Sequence, residues 1–225
     1  MSAATMEIEK FDSVEEKWFS YYLSELKAQG LVKSYEYQPA SFQLSEEYKR
    51  YVFIKKKNHN EPASVKLLNG HIYTCDYRIV WNKCAEGIAF WREGGIYEKG
   101  LFPYSKLRRD SFIPFVAHNT NDMEIVTLLD VKGAVVGRNN SSGVTFGLNQ
   151  KWLASQGVFV QKVVVSLCEK GLFYRSFFPR AVVVEEVYKR DYKRGGKILA
   201  HEGDSKIKVE IRLIEKWLKM KGYGN

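Results

Sequence analysis

Two short runs constrain this chain most, because each plants a carboxylate in a stretch that otherwise reads as β-strand. The first, residues 72–81, is Ile-Tyr-Thr-Cys-Asp-Tyr-Arg-Ile-Val-Trp, and its one acid is Asp76. The second, residues 127–133, is Thr-Leu-Leu-Asp-Val-Lys-Gly, in which Asp130-x-Lys132 runs into Gly133. Aspartate is disfavoured inside strands, so its place in both runs asks for a reason. Side chains alternate across a strand, which puts Asp130 and Lys132 on one face. If the two strands pair, Asp76 and Asp130 converge at one edge with the ammonium beside them. Two carboxylates and an ammonium at one point suit a divalent cation and a phosphate. The plainer reading of Asp130-x-Lys132 is a surface ion pair at a strand end.

A chain of 225 residues with 45% hydrophobic and 14% aromatic content is long and apolar enough for one domain with a sizeable core. No apolar run reaches the ~18 residues that a bilayer span requires. Residues 1–10 lack the basic-then-apolar pattern of a signal peptide. The expected location is therefore cytoplasmic, with no membrane partner. Cys75, Cys84 and Cys168 have no metal-ligand spacing and fit a reducing compartment. The formal net charge is +9, a balance usual for proteins that bind nucleic acid. From residue 187 onward there are 11 Lys/Arg against 5 Asp/Glu, so much of the excess lies in the last 39 residues.

In order, residues 1–10 read as a tail. Ser13 opens a helix to about Ala28, with Ser13 and Glu16 as a capping box and Trp18, Phe19, Tyr22, Leu23 and Leu26 as its apolar stripe. Gly30 stops it. Strands are expected at 32–37, 40–44 and 48–57, followed by a polar loop at 58–63. Residues 82–124 read as an aromatic-rich insertion carrying Arg108 and Arg109. A loop at 137–143 leads to a helix at 146–156, with Leu148, Trp152 and Leu153 on its apolar face. A doubly buried strand is expected at 158–167, and further strands at 173–178 and 181–187. The main domain is thus 11–187. A basic extension, 188–225, holds Lys189, Arg190, Lys193, Arg194 and Lys197 in a turn. A final helix follows at 204–221, with Ile207, Ile211, Ile214 and Leu218 on its apolar face.

Reduced to order, the core is helix, strands, Asp strand, Asp-x-Lys strand, helix, strand. That order resembles the PD-(D/E)XK nuclease superfamily, and is most similar to its phage-encoded members and the related transposon-end and junction-cleaving endonucleases. The residues carrying the likeness are Phe11-Asp12-Ser13-Val14-Glu15-Glu16, Gln38-Pro39-Ala40-Ser41-Phe42, Tyr73-Thr74-Cys75-Asp76-Tyr77, Asp130 to Gly133, and Asn149-Gln150-Lys151. Two features depart from the family pattern. Cys75 stands where the family name has proline, and residues 82–124 replace a short hairpin.

The resemblance implies an α/β fold with a restriction-endonuclease-like core, a mixed central sheet flanked by helices. It implies a Mg²⁺- or Mn²⁺-dependent endodeoxyribonuclease, acting in the host cytoplasm if phage-encoded. Asp76, Asp130 and the Val131 carbonyl would hold the metal, with Glu16, or its neighbour Glu15, adding a carboxylate. Lys132 would orient or deprotonate the attacking water, and Gln150 would contact the scissile phosphate. Lys151, Arg108, Arg109 and the basic turn would contact the DNA backbone. Cleavage of both strands would favour a homodimer. Two other readings stand beside this one: a DNA-binding protein on a nuclease fold that no longer cuts, and a protein–protein module built on the aromatic insertion.

Overall fold

A computed structural model describes residues 11–39, 41–94, 112–133, 141–167, 171–184 and 211–223. The first helix, α1 (Val14–Ala28), begins where the capping box predicts, and the chain turns out of it at Gly30, whose φ is +71°. All five residues of the expected stripe are buried. Strands β1 (Val32–Tyr37), β2 (Ser41–Ser45) and β3 (Tyr48–Lys55) follow. The expected polar loop is instead the start of a strand, β4 (Asn60–Leu68), because β3 turns at 56–59 and pairs back on itself as a hairpin.

The run at 72–81 is two strands rather than one. β5 (His71–Thr74) pairs with β2 in a small sheet, whereas β6 (Tyr77–Trp81) pairs with β1 in the main one. The break falls at Cys75–Asp76, where the disfavoured aspartate stands. β7 (Phe90–Arg92), β8 (Phe115–Asn119) and β9 (Ile125–Lys132) come next. β9 is antiparallel to β6, in register from Tyr77↔Leu129 to Trp81↔Ile125. The described parts of the insertion do not separate this pair. β8 joins the other edge of β9 at Asn119↔Ile125 and β7 adds in parallel to β8, so the insertion extends the sheet.

Helix α2 (Ser141–Ser155) starts five residues before the expected point and leads to β10 (Val160–Val164). β10 runs parallel to β9, from Val160↔Leu128 to Val164↔Lys132. The sheet is therefore mixed, ordered β1-β6-β9-β8-β7 with β10 also on β9. The apolar face expected for α2 is corrected: Leu148 and Trp152 are 57% and 46% exposed. Leu153 is buried as expected, together with Phe146 and Asn149, and Phe146 and Leu153 pack with Leu44, Tyr73, Cys75 and Val160. Their i, i+3, i+7 spacing is itself a helical stripe. β10 is shorter than expected, and its Lys162 is exposed between buried neighbours.

The region expected as strands at 173–178 is a helical turn, α3 (Leu172–Arg175), and a second turn, α4 (Arg180–Val182), follows Pro179. Leu172, Phe173, Ser176 and Phe177 are all buried, an i, i+1, i+4, i+5 pattern that suits a helix rather than alternation. Both rings reach α1, with Tyr22 stacked on Phe177 at 4.3 Å and on Phe173 at 6.0 Å. The last described helix, α5 (Ile214–Met220), docks on the same cluster. Trp217 is fully buried 5.4 Å from Phe177, and the Phe178 N–H donates to the Arg212 carbonyl at 2.7 Å. Arg108, Arg109, Lys189, Arg190, Lys193, Arg194, Lys197 and Ile207 lie outside the described residues.

Trp217→Ala therefore empties part of the main core and should cost about 3–5 kcal/mol, read as a lower urea midpoint. Trp152→Ala, on the outer face of α2, should cost under about 1 kcal/mol.

Candidate active site

The site is built where the β6–β9 ladder ends. The Asp76 N–H donates to the Leu129 carbonyl at 2.9 Å, and the Asp76 carbonyl accepts from Gln38 N–H at 2.8 Å. Asp76 thus stands one residue before the ladder's end pair, Tyr77↔Leu129, and Asp130 one residue after it on β9. Beyond Asp76 the chain leaves the sheet to become β5, so the Val131 N–H has no backbone partner across the gap. The Asp76 carboxylate takes that place, its Oδ2 accepting from Val131 N–H at 2.6 Å. A buried backbone donor needs a partner, and this one is satisfied by a side chain.

Asp130 is 4% exposed. The Tyr73 hydroxyl, on β5, donates to its Oδ2 at 2.7 Å. Lys132 makes an ion pair with its Oδ1, as expected of two residues on one strand face. The Lys132 side chain is 30% exposed, so its ammonium links a buried carboxylate to solvent. In register beside Asp130 on the adjoining strand is Lys162, whose ammonium lies 5.9 Å from the centre of the Phe146 ring.

The electrostatics record the convergence. Asp76 is pushed up from the usual carboxylate range to about 7, first by burial and next by the negative charge of Asp130. The Val131 N–H opposes the shift, Glu16 adds to it, and Lys132 offsets part of it. The Tyr73 hydroxyl is also held well above its ordinary value, by burial, by donating to Asp130, and by the charges of both aspartates. A half-buried carboxylate that its neighbour's charge raises marks a point where negative charge is concentrated and only partly offset.

Glu16 has another task. It is 7% exposed, with Oε1 accepting from the Ser13 hydroxyl at 2.8 Å and Oε2 from the Tyr37 hydroxyl at 2.6 Å and Asp12 N–H at 3.2 Å. Its carboxylate is committed to the capping box and to β1, and it reaches Asp76 as a charge rather than by contact. Glu15 points to the Asp-x-Lys strand instead. A Cβ built on Gly133 would stand 2.6 Å from Glu15 Oε1, so the glycine leaves room for that carboxylate at the strand end.

The structure does not join Gln150 and Lys151 to the carboxylates. The Gln150 amide donates to the Val160 carbonyl at 2.8 Å, level with Leu128, and Lys151 is exposed. Because α2 begins at Ser141, residue 150 falls past its middle, toward the start of β10. Tyr73 and Lys162 are the near residues that the strand patterns did not single out. A tyrosine three residues before Asp76 was the available sign of the first. Nothing local marked the second, whose neighbour is 32 positions away in register.

Among the described residues, no three His, Cys, Asp or Glu side chains form a group that could hold a metal ion. The donor chemistry nevertheless fits a hard divalent cation. Mg²⁺ is usually bound through one or two carboxylates plus substrate phosphate and water, and a cation would relieve the repulsion that raises Asp76. No protein-family model, curated protein or solved structure matches the chain. Among the described residues no helix is long and apolar enough to cross a membrane.

The unfolded chain releases the Asp76 proton near its ordinary value of 3.8, whereas the folded protein holds it up to about pH 7. Between those values the folded state binds more protons, so stability falls as pH rises. In EDTA, Asp76→Asn should leave Tm near pH 3.5 little changed and raise it increasingly as pH climbs from about 4 to 7, by several degrees at pH 8. Calorimetry across that range checks both the size and the sign.

Proposed function

We propose that this chain is a metal-dependent nuclease that hydrolyses DNA phosphodiester bonds endonucleolytically, of the phage type within the PD-(D/E)XK superfamily, on a restriction-endonuclease-like core. The observation that carries the reading is the convergence of Asp76, just before β6, and Asp130, on the neighbouring strand β9, with Lys132 on Asp130. The surrounding order supports it: a helix, an Asp strand, an Asp-x-Lys strand, a helix, and a strand parallel to the Asp-x-Lys strand.

Asp76 and Asp130 would hold Mg²⁺ or Mn²⁺, with the Val131 carbonyl available from the same strand. When bound, the metal would neutralise phosphate charge and lower the pKa of a water molecule. The chain's own residues then have separable tasks. Asp76 fixes the end of β9 through Val131 N–H, so the two carboxylates keep their spacing. Tyr73 orients Asp130 by hydrogen bonding one of its oxygens. Lys132, partly exposed, orients the attacking water and stabilises charge on the phosphorane-like transition state. Glu15, beside Gly133, is better placed than Glu16 to add a third carboxylate. The chain's net charge of +9 suits the polyanionic substrate. Cytoplasmic action and a dimer for double-strand cleavage belong to the same proposal.

A second reading, a nuclease-fold protein that binds DNA without cutting it, is favoured by one observation: the Glu16 carboxylate is already occupied. Plasmid cleavage in Mg²⁺, Mn²⁺ and EDTA separates the two. Under the nuclease reading, Asp130→Asn and Lys132→Ala should each lower the metal-dependent rate at least about 100-fold. DNA binding in EDTA should remain, and full activity in both folded variants would remove the proposal.

A further inference from the structure

The β3–β4 hairpin has no part in the site, and no strand among the described residues pairs with it besides its own two. All eight residues of β3 are exposed, as are all of β4 except Ala63. Tyr51 and Phe53 are 84% and 77% exposed. An isolated two-stranded ribbon is marginal in water, and large apolar side chains left bare on one mark an interaction surface.

The two faces differ. Directly paired residues share a face, so the register places Lys49, Tyr51, Phe53 and Lys55 with Lys66, Ser64, Pro62 and Asn60 on one side. Among the paired residues, that face carries two aromatic rings between three lysines and no acid. The other face holds Val52, Ile54, Val65 and Ala63, with Arg50 and the one acid of the hairpin, Glu61. Residues 48–68 contain six Lys/Arg against one Glu. At the base, Lys49 and Lys66 share Glu47 at 2.8 and 3.1 Å, and at the tip Lys56 lies 3.5 Å from Glu61.

We infer that this ribbon is a DNA-binding arm that enters a groove of duplex DNA, its lysines on phosphates and Tyr51 and Phe53 against the groove floor. The charge selects the occupant. A second copy of this basic chain would bring like charge to a basic arm, whereas a polyanion is complementary to it. The shape agrees, because the major groove, about 12 Å wide, admits a two-stranded β-ribbon. Two aromatic side chains two residues apart on one strand face stand about 6.8 Å apart, close to two base steps along a strand. The inference shares DNA with the proposed function but not its chemistry, so binding in EDTA tests it whether or not the chain cuts.

The experiment is fluorescence anisotropy of a short labelled duplex in EDTA, titrated with the full chain over a range of salt. Lys55→Ala/Lys57→Ala should weaken binding and flatten the slope of log K against log salt by about 2. Tyr51→Ala/Phe53→Ala should weaken binding several-fold with the slope unchanged, because the rings meet base edges and not phosphates. The affected side chains are solvent-exposed, and unchanged circular dichroism and Tm establish that both variants fold. Wild-type affinity and slope in both variants would overturn the inference. So would a ribbon that binds phosphatidylserine vesicles in preference to duplex, or a Tyr51/Phe53 variant that turns a dimer into a monomer with DNA affinity intact.

Discussion

The hydrogen bond from Val131 N–H to the Asp76 carboxylate is the interaction on which the site depends. At that point one strand must leave the sheet while its neighbour continues. A backbone donor is left facing the gap, and a carboxylate fills it at 2.6 Å. A charge-assisted bond of this kind is worth about 1.5–3 kcal/mol, enough to hold the strand fork but not to cancel the cost of placing Asp76 beside Asp130. The tension remains in the elevated pKa of Asp76. It is relieved in part by Lys132, and a divalent cation would relieve it further.

The core enforces this arrangement from the opposite face of the sheet. The Tyr77 hydroxyl, on the residue after Asp76, donates to the Glu16 carbonyl at 2.8 Å, and the Phe19 ring packs edge-on against Tyr77 at 5.1 Å. Helix α1 is thus keyed to β6 one residue from the catalytic candidate. Its capping residue is keyed to β1 through Tyr37, and its Glu15 to the end of β9. On the other side, β5 supplies Tyr73 to Asp130 while Cys75 and Tyr73 pack with Phe146 and Leu153 of α2. The two hydrophobic clusters meet at the strand pair that carries the acids.

Much of this was legible in the residues. The S-x-x-E box and five-residue stripe specified α1, and alternation placed Asp130 and Lys132 on one face. Local pattern failed where long-range packing decided. A run of β-formers from Ile72 to Trp81 gives no local reason to divide, and it divides because its halves find different partners. Leu148 and Trp152 lost the core to Phe146 and Leu153 because β10 and the β2–β5 sheet lie on only one side of α2. The aromatics near 173–178 suit a strand by propensity but a helical turn by the spacing of their buried positions. Glu16 showed two roles in the sequence, and its contacts with Ser13 and Tyr37 are those of the capping role. The β3–β4 arm was half legible: its lysines were plain, but its bare aromatic face needed the register.

The central claim is that Asp76 and Asp130 together form a cation site at the end of the β6–β9 ladder. Anomalous diffraction from crystals soaked in Mn²⁺ tests it most directly. The account predicts a peak bridging the Asp76 and Asp130 carboxylates, lost in an Asp130→Asn crystal. Full Mn²⁺ occupancy elsewhere on the protein, with no peak between those carboxylates and the Lys132–Asp130 ion pair intact, would contradict it.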